Sequence, residues 1–386
     1  MGNKNWYIPG LIILIGIAGY FTLIKKPFSD FQKKKKDTVK VGAVFSLSGK
    51  LSTYGQNTLN GVKLAVKQIN ESSGINGREL KLQTEGTNSE SKKAVSALKK
   101  LINVNNLNII IGPEASPLAM SMAPATKDKN VLLFGPTISA PKFNEISDYA
   151  FTAWPESEQL AEQMAEFVYR ELGLRKIAIL HILDDRGVKY KKNFKKRFQD
   201  LGGEITAVES FRQDSKDFRT QLTKIRETNP DGLYILALSK QYISIIEQVK
   251  ELGMNDVKLL SDIGIEDPVI TGNIPKLASG LIYNLAGMDR NKAETSRFIE
   301  TYKKEFGEKP DTFAAHGYDS MMVLAKAMKS CEEEKKLTSE CVKKQLQDIN
   351  YDGVTGNIEF TSQGDVRKST VFKIIKDGEF KLYSGN

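Results

Sequence analysis

Two histidines and two cysteines in 386 residues leave little material for metal or nucleophile chemistry. A structural zinc needs four nitrogen or sulfur ligands close together, and His181, His316, Cys331 and Cys341 do not supply that spacing. No nucleophile motif accompanies either histidine, so an enzyme is not expected. A phosphate loop is missing too. Ser48-Gly49-Lys50-Leu51-Ser52 has the lysine, but Val44 stands where the first glycine belongs and Leu51 where Ser or Thr must follow. No cofactor is expected. A basic footprint is also absent from the body of the chain. Of the formal charge of +9, eight lysines against Asp30 and Asp37 place +6 in the first 40 residues, which leaves +3 for the rest. That excludes a nucleic-acid partner on charge grounds.

What the chain does have is one long uncharged run, Trp6 to Ile24. Nineteen residues at 1.5 Å each span a bilayer core of about 30 Å, and Trp6, Tyr7, Tyr20 and Phe21 mark its ends as interfacial aromatics do. The expectation is a membrane anchor over residues 1–25 followed by a basic stalk over 26–37. The competing reading is a cleaved signal peptide, with Gly16 to Gly19 as a poor cleavage region. No cysteine nearby offers a lipid site, and Met1-Gly2 lacks the Ser or Thr of a myristoylation signal. Lysines following the run would, by positive-inside counting, keep the remainder in the cytoplasm.

From Val41 the organisation is regular. Val41, Ala43, Val44 and Phe45 read as a buried strand, broken by Ser46, Ser48 and Gly49. Leu59, Val62, Leu64, Ala65, Val66 and Ile69 then recur at helical spacing. Strands and helices alternate onward as a doubly wound parallel sheet requires, with strands expected at 176–182, 204–211 and 232–236 among others. Residues 357–360, 370–375 and 380–383 read as short antiparallel strands. In an open sheet of this kind the loop after a strand's carboxyl end is where ligands sit, which marks Ser46 to Tyr54 as a site. A chain of this length suits two lobes better than one core.

Four stretches, STYGQNTLNGVKLAVKQIN with GINGREL, IIGPEASPLAMSMAP, FGPTISAP and YDGVTGNIEFTSQGD, resemble the type I periplasmic binding proteins. The likeness is greatest to the leucine/isoleucine/valine-binding family of ABC importers, and it spans about residues 38 to 383. It implies two doubly wound parallel-sheet lobes joined by a three-stranded hinge, with lobe 1 as 38–153 plus 289–351 and lobe 2 as 154–288 plus 352–386. It also implies a receptor facing outside, against the lysine count.

Resemblance further assigns the site. Ser116, at the start of a helix with Pro117 behind it, and Ile138 and Ser139 match positions that hold a ligand carboxylate and share in holding its ammonium. Tyr54 matches an aromatic beside the ligand, and Trp154 either walls the cleft or packs the hinge. Where relatives place a tyrosine and a glutamate for the ammonium, this chain has Leu238 and Ile263. Asp262 is adjacent, and Asp184, Asp185 and Arg186 follow a neighbouring strand, so a carboxylate could come from a shifted loop. The expected function is an extracytoplasmic solute-binding receptor that delivers a branched-chain amino acid, or a related amide or carboxylate, to ABC permease subunits. A ligand-sensing module acting on a signalling partner is the alternative. A disulfide between Cys331 and Cys341 fits an oxidising exterior and would contribute about 2 to 3 kcal/mol; two free thiols in a polar loop is the other reading.

Overall fold

A computed structural model describes residues 1–2, 38–140, 142–266, 268–288, 292–333, 337–362, 364–368 and 370–384. The expected anchor at 6–24 and the stalk lie outside the described residues. Among the described ones, no helix is long and apolar enough to cross a membrane.

Two sheets organise the chain. The first has strands β1 (Val39–Phe45), β2 (Leu80–Gly86), β3 (Ile109–Ile111), β4 (Leu132–Gly135) and β5 (Ala150–Thr152). Their order is β2-β1-β3-β4-β5 and every pairing is parallel. Both faces are covered, and the side-chain period of two shows directly. Val41, Ala43 and Phe45 enter one core with Ile109, Ile111 and Phe134, while Val44, Ile110 and Leu133 enter the other.

The second sheet contains β6 (Lys176–Ile182), β7 (Glu204–Phe211), β8 (Gly232–Leu236), β9 (Lys258–Asp262), β10 (Ile282–Leu285), β13 (Val371–Lys376) and β14 (Glu379–Leu382). Its order is β14-β13-β10-β9-β8-β6-β7, parallel from β10 to β7 and antiparallel at β10–β13 and β13–β14. Ala178, Leu180 and Ile182 face one core and Ile177 and Ile179 the other. The fold is α/β with two lobes.

Three passages connect the two halves. After β5 the chain enters helix Ser157–Arg170, and after β10 it returns through helices Ala293–Phe306, Thr312–Glu333 and Ser339–Gln347. Helix Thr312–Glu333 crosses helix Ser52–Glu71 closely. A Cβ on Gly61 would fall 1.9 Å from the carbonyl oxygen of Ala314, and one on Gly317 would fall 2.1 Å from that of Thr58. Only glycine permits that approach. At the far end of the same helix Cys331 and Cys341 are bonded, with Cα atoms 5.9 Å apart.

The third passage differs from expectation. Strands β11 (Asn350–Gly353) and β12 (Gly356–Glu359) form a separate hairpin, and Ile358, Phe360 and Val366 pack in the first sheet's core. Phe360 meets Phe134 and Phe151 edge to face. Buried Asp319 accepts bonds from the backbone N–H of Val354 (3.1 Å) and Thr355 (2.8 Å) and from the Thr355 hydroxyl (2.5 Å). Residues 352–366 therefore belong with the first half, and only β13 and β14 rejoin the second.

Candidate functional site

The carboxyl ends of β1, β3 and β4 carry the serine-bearing loops. Ser46, at the end of β1, is fully buried; its hydroxyl lies 2.8 Å from that of Thr87, and its N–H donates to Glu114 (3.1 Å). Glu114 is also buried, and burial raises its carboxyl above the usual range against the Ser46 bonds that lower it. Ser116 is half-buried in the first turn of helix Ser116–Met122, where Ala115 holds the cap position. The expected cap thus shifts by one residue, with Pro117 in the second helical position. Seven residues also make a short helix with few aligned peptide dipoles.

The side chain of Ile138 turns inward. It is fully buried in the core beneath β4, and its carbonyl accepts the Thr152 hydroxyl at 2.9 Å. Ser139 is half-buried and its carbonyl accepts the N–H of Ser157 (3.4 Å), so this loop is tied to the first passage. Trp154 is 4% exposed. It stacks on Phe313 (centroids 5.8 Å, planes 20° apart) and tilts against His316 at 4.6 Å. The His316 ring is buried, which lowers its pKa well below the ordinary value, and its Nδ1 donates to the carbonyl of Thr312. Trp154 thus packs the passage.

Tyr54 is 42% exposed and lies 4.7 Å from Phe313, ring to ring. Both line a cavity of about 600 Å³ with Lys50, Thr53, Asp311 and Thr312 on one side and Ile263, Gly264, Glu266 and Phe380 on the other. Asp311 is occupied: it accepts from Asn57 (2.8 Å) and from the N–H of Ala314 (2.8 Å). Phe313 and Phe380 were not among the expected residues, because Phe313 is brought in by a helix remote in sequence and Phe380 by the last strand, β14.

On the second sheet's carboxyl edge the acids are committed. Asp262 is 1% exposed; it pairs with Arg186 and accepts from the Tyr242 hydroxyl (3.1 Å) and the N–H of Gly264 (3.1 Å). Asp184 caps helix Asp185–Asp200 by accepting from Gly187 N–H (2.7 Å). Glu266 pairs with Lys373. The side chain of Asp185 lies outside the described residues. Leu238 is 37% exposed at the start of helix Ser239–Glu251, and Ile263 opens a short 3-10 turn. The structure brings Tyr54 and Ile263 to one cavity, with Asp262 buried just behind Ile263. It sets Ile138 and Trp154 into packed interior.

Residues 38–378 match the family model for periplasmic binding protein. The chain belongs to this family. A curated member, the leucine-, isoleucine-, valine-, threonine- and alanine-binding protein of Pseudomonas aeruginosa, is 22% identical over 344 residues, covering 88% of this chain and 91% of its own. Among solved structures, a leucine-binding protein from Thermotoga maritima is 25% identical with a TM-score of 0.76, covering 90% of this chain and 98% of that one. The solute-binding protein of an ABC transporter from Rhodopseudomonas palustris, in complex with 3,4-dihydroxybenzoic acid, is 21% identical with a TM-score of 0.75, covering 90% and 97%. Family membership accounts for two facing lobes with a cavity between their carboxyl edges. Its members bind solutes and are not enzymes.

Proposed function

We propose that this protein is an extracytoplasmic solute-binding receptor that closes two lobes over a small ligand and presents it to the permease of an ABC importer. The observation that carries this reading is the cavity of about 600 Å³ whose walls come from both lobes and meet at Tyr54, Phe313, Ile263 and Phe380. A concave, largely apolar site with a few polar groups suits a small molecule. Lobe 1 comprises 38–153 and 292–366 and lobe 2 comprises 157–288 and 371–382. The three passages between them act as the hinge, and Trp154 packs its first strand. Ser116 and Ser139 contribute hydroxyls from lobe 1, and Tyr54 closes over the ligand. Residues 6–24 tether the receptor to the membrane, with the basic stalk between anchor and lobes.

The test is a melting-temperature screen of residues 38–386 against amino acids, small amides and small carboxylates, followed by small-angle scattering with the best solute. A bound solute should raise the melting temperature and shrink the radius of gyration as the lobes close. A rise without compaction would count against hinge closure.

A further inference from the structure

Arg186 lies at the carboxyl edge of the second sheet, in the first turn of the helix that follows β6. Its guanidinium reaches across two neighbouring strand ends, donating to Asp262 at the end of β9 and to the carbonyl of Ala237 just beyond β8 (2.6 Å). These bonds use two of the five N–H donors that a guanidinium carries. No acceptor among the described residues takes the other three, and the side chain remains 31% exposed. On an open sheet this edge faces the ligand. Asp262, beneath the guanidinium, is held by Arg186, Tyr242 and Gly264, Asp184 caps its helix, Asp311 accepts from Asn57 and Ala314, and Glu266 pairs with Lys373 through one oxygen while its other, buried oxygen has no partner among the described residues. Each of these acids thus already carries a hydrogen bond or an ion pair, and the free carboxylate oxygen on Glu266 is buried, whereas the Arg186 guanidinium keeps spare, partly exposed donors for an anion.

The surroundings add an apolar requirement. Leu183 (53% exposed) follows β6, Leu238 (37%) follows the Ala237 carbonyl that accepts from Arg186, and Leu47 (37%) follows β1 in lobe 1. Exposed large aliphatics at the carboxyl ends of strands in both lobes suit a ligand with an apolar body. Lys50, on the lobe 1 side of the cavity, has the same sign of charge as Arg186.

We infer that Arg186 anchors the ligand in lobe 2 and that the cleft selects a small monocarboxylate with an apolar body, with no requirement for an α-ammonium. This rests on the receptor reading above. A carboxylate held by a guanidinium from lobe 2 and by hydroxyls from lobe 1 also gives closure its driving force, since charge-assisted bonds form only when both lobes meet the ligand.

Calorimetric titration of residues 38–386 with matched probes tests it: 4-methylpentanoate, benzoate, leucine and 3-methylbutylamine. The carboxylates should bind, leucine should bind no tighter than 4-methylpentanoate, and the amine should not bind. Arg186→Lys should weaken carboxylate binding at least tenfold. Because losing Arg186 alone strands Asp262, the double variant Arg186→Gln, Asp262→Asn removes both charges together. It should keep its fold by circular dichroism and lose carboxylate affinity at least thirtyfold. Tight leucine binding that vanishes in 4-methylpentanoate overturns the inference and leaves the receptor reading intact, as does undiminished carboxylate binding by the folded double variant. Silence from both carboxylates overturns the inference as well. If amino acids and amides are also silent in the screen, the receptor reading falls with it.

Discussion

The two lobes reach similar architectures by different means. In lobe 1 the cleft edge is hydroxyl-rich, with Lys50 and Asp311 at the cavity, and its two long helices lock through the backbone contacts of Gly61 and Gly317. In lobe 2 the edge is held by a buried ion pair that ties Asp262 to Arg186 across 76 residues of sequence. Close backbone packing fixes a shape and resists any added atom. An ion pair fixes a shape only while both partners are present, and it leaves spare donors for a third party. The contrast separates a lobe built to be rigid from one built to recognise charge.

Breaking the pair gives the largest effect. Arg186→Met alone should destabilise lobe 2 by about 3 to 5 kcal/mol, because Asp262 is left charged and buried. The same change combined with Asp262→Leu should recover most of that loss, as urea unfolding of residues 38–386 will read. A recovery of less than half would mean that Tyr242 and the Gly264 turn, rather than the pair, organise this edge.

Disturbing lobe 1 should cost less. Gly317→Ala places a methyl group against the Thr58 carbonyl and should cost about 1 to 3 kcal/mol, as overpacking does. The loss should appear in lobe 1 hydrogen exchange, with lobe 2 protection unchanged.

The smallest effect sharpens the comparison at the passage between lobes. Glu156, at the start of helix Ser157–Arg170, has its carboxyl pushed up to about 7, first by burial and then by Asp365, Glu158 and Glu145, with Lys189 of lobe 2 opposing them. Its raised value means that the folded state holds a proton the unfolded chain has released. That contribution is complete below the unfolded value near 4 and is lost as pH rises through about 7. Buried His316 has the opposite slope: its lowered value makes stability fall as pH drops below about 6.5. The difference in melting temperature between the natural chain and Glu156→Gln isolates the first term and should move in the variant's favour from pH 5 to pH 7.5. A flat difference would place Glu156 in solvent.

How much of this was legible in the sequence depended on distance along the chain. β6, β7 and β8 stand at the residues expected of them, because long apolar alternation bounded by turns is a local signal. β5 and β11, three and four residues long, are too short to show a period. The family resemblance also marked Tyr54 and Ile263, which share the cavity. Nothing within Thr137 to Ala140 reveals that the Ile138 side chain turns into the core, and the pairing of Asp262 with Arg186 stays hidden because its partner is remote. The third passage failed for the same reason: alternation marks a strand but not the core it joins, and Asp319 decides that from another helix.

The order of the passages governs when this chain can fold at all. Lobe 2 lacks β13 until residues 371–376 exist, and lobe 1 lacks the helix that covers β1 until 312–333 exist, with Phe360 and Val366 arriving later still. The face of the first sheet that carries Val44, Ile110 and Leu133 is buried by residues 44–150 alone, but the face that carries Val41, Ala43 and Phe45 waits for partners hundreds of residues away. A polypeptide with that schedule keeps one face of its first sheet open until residues 358–366 have emerged. An unfinished fold is the state in which a chain crosses a membrane through a narrow secretion channel.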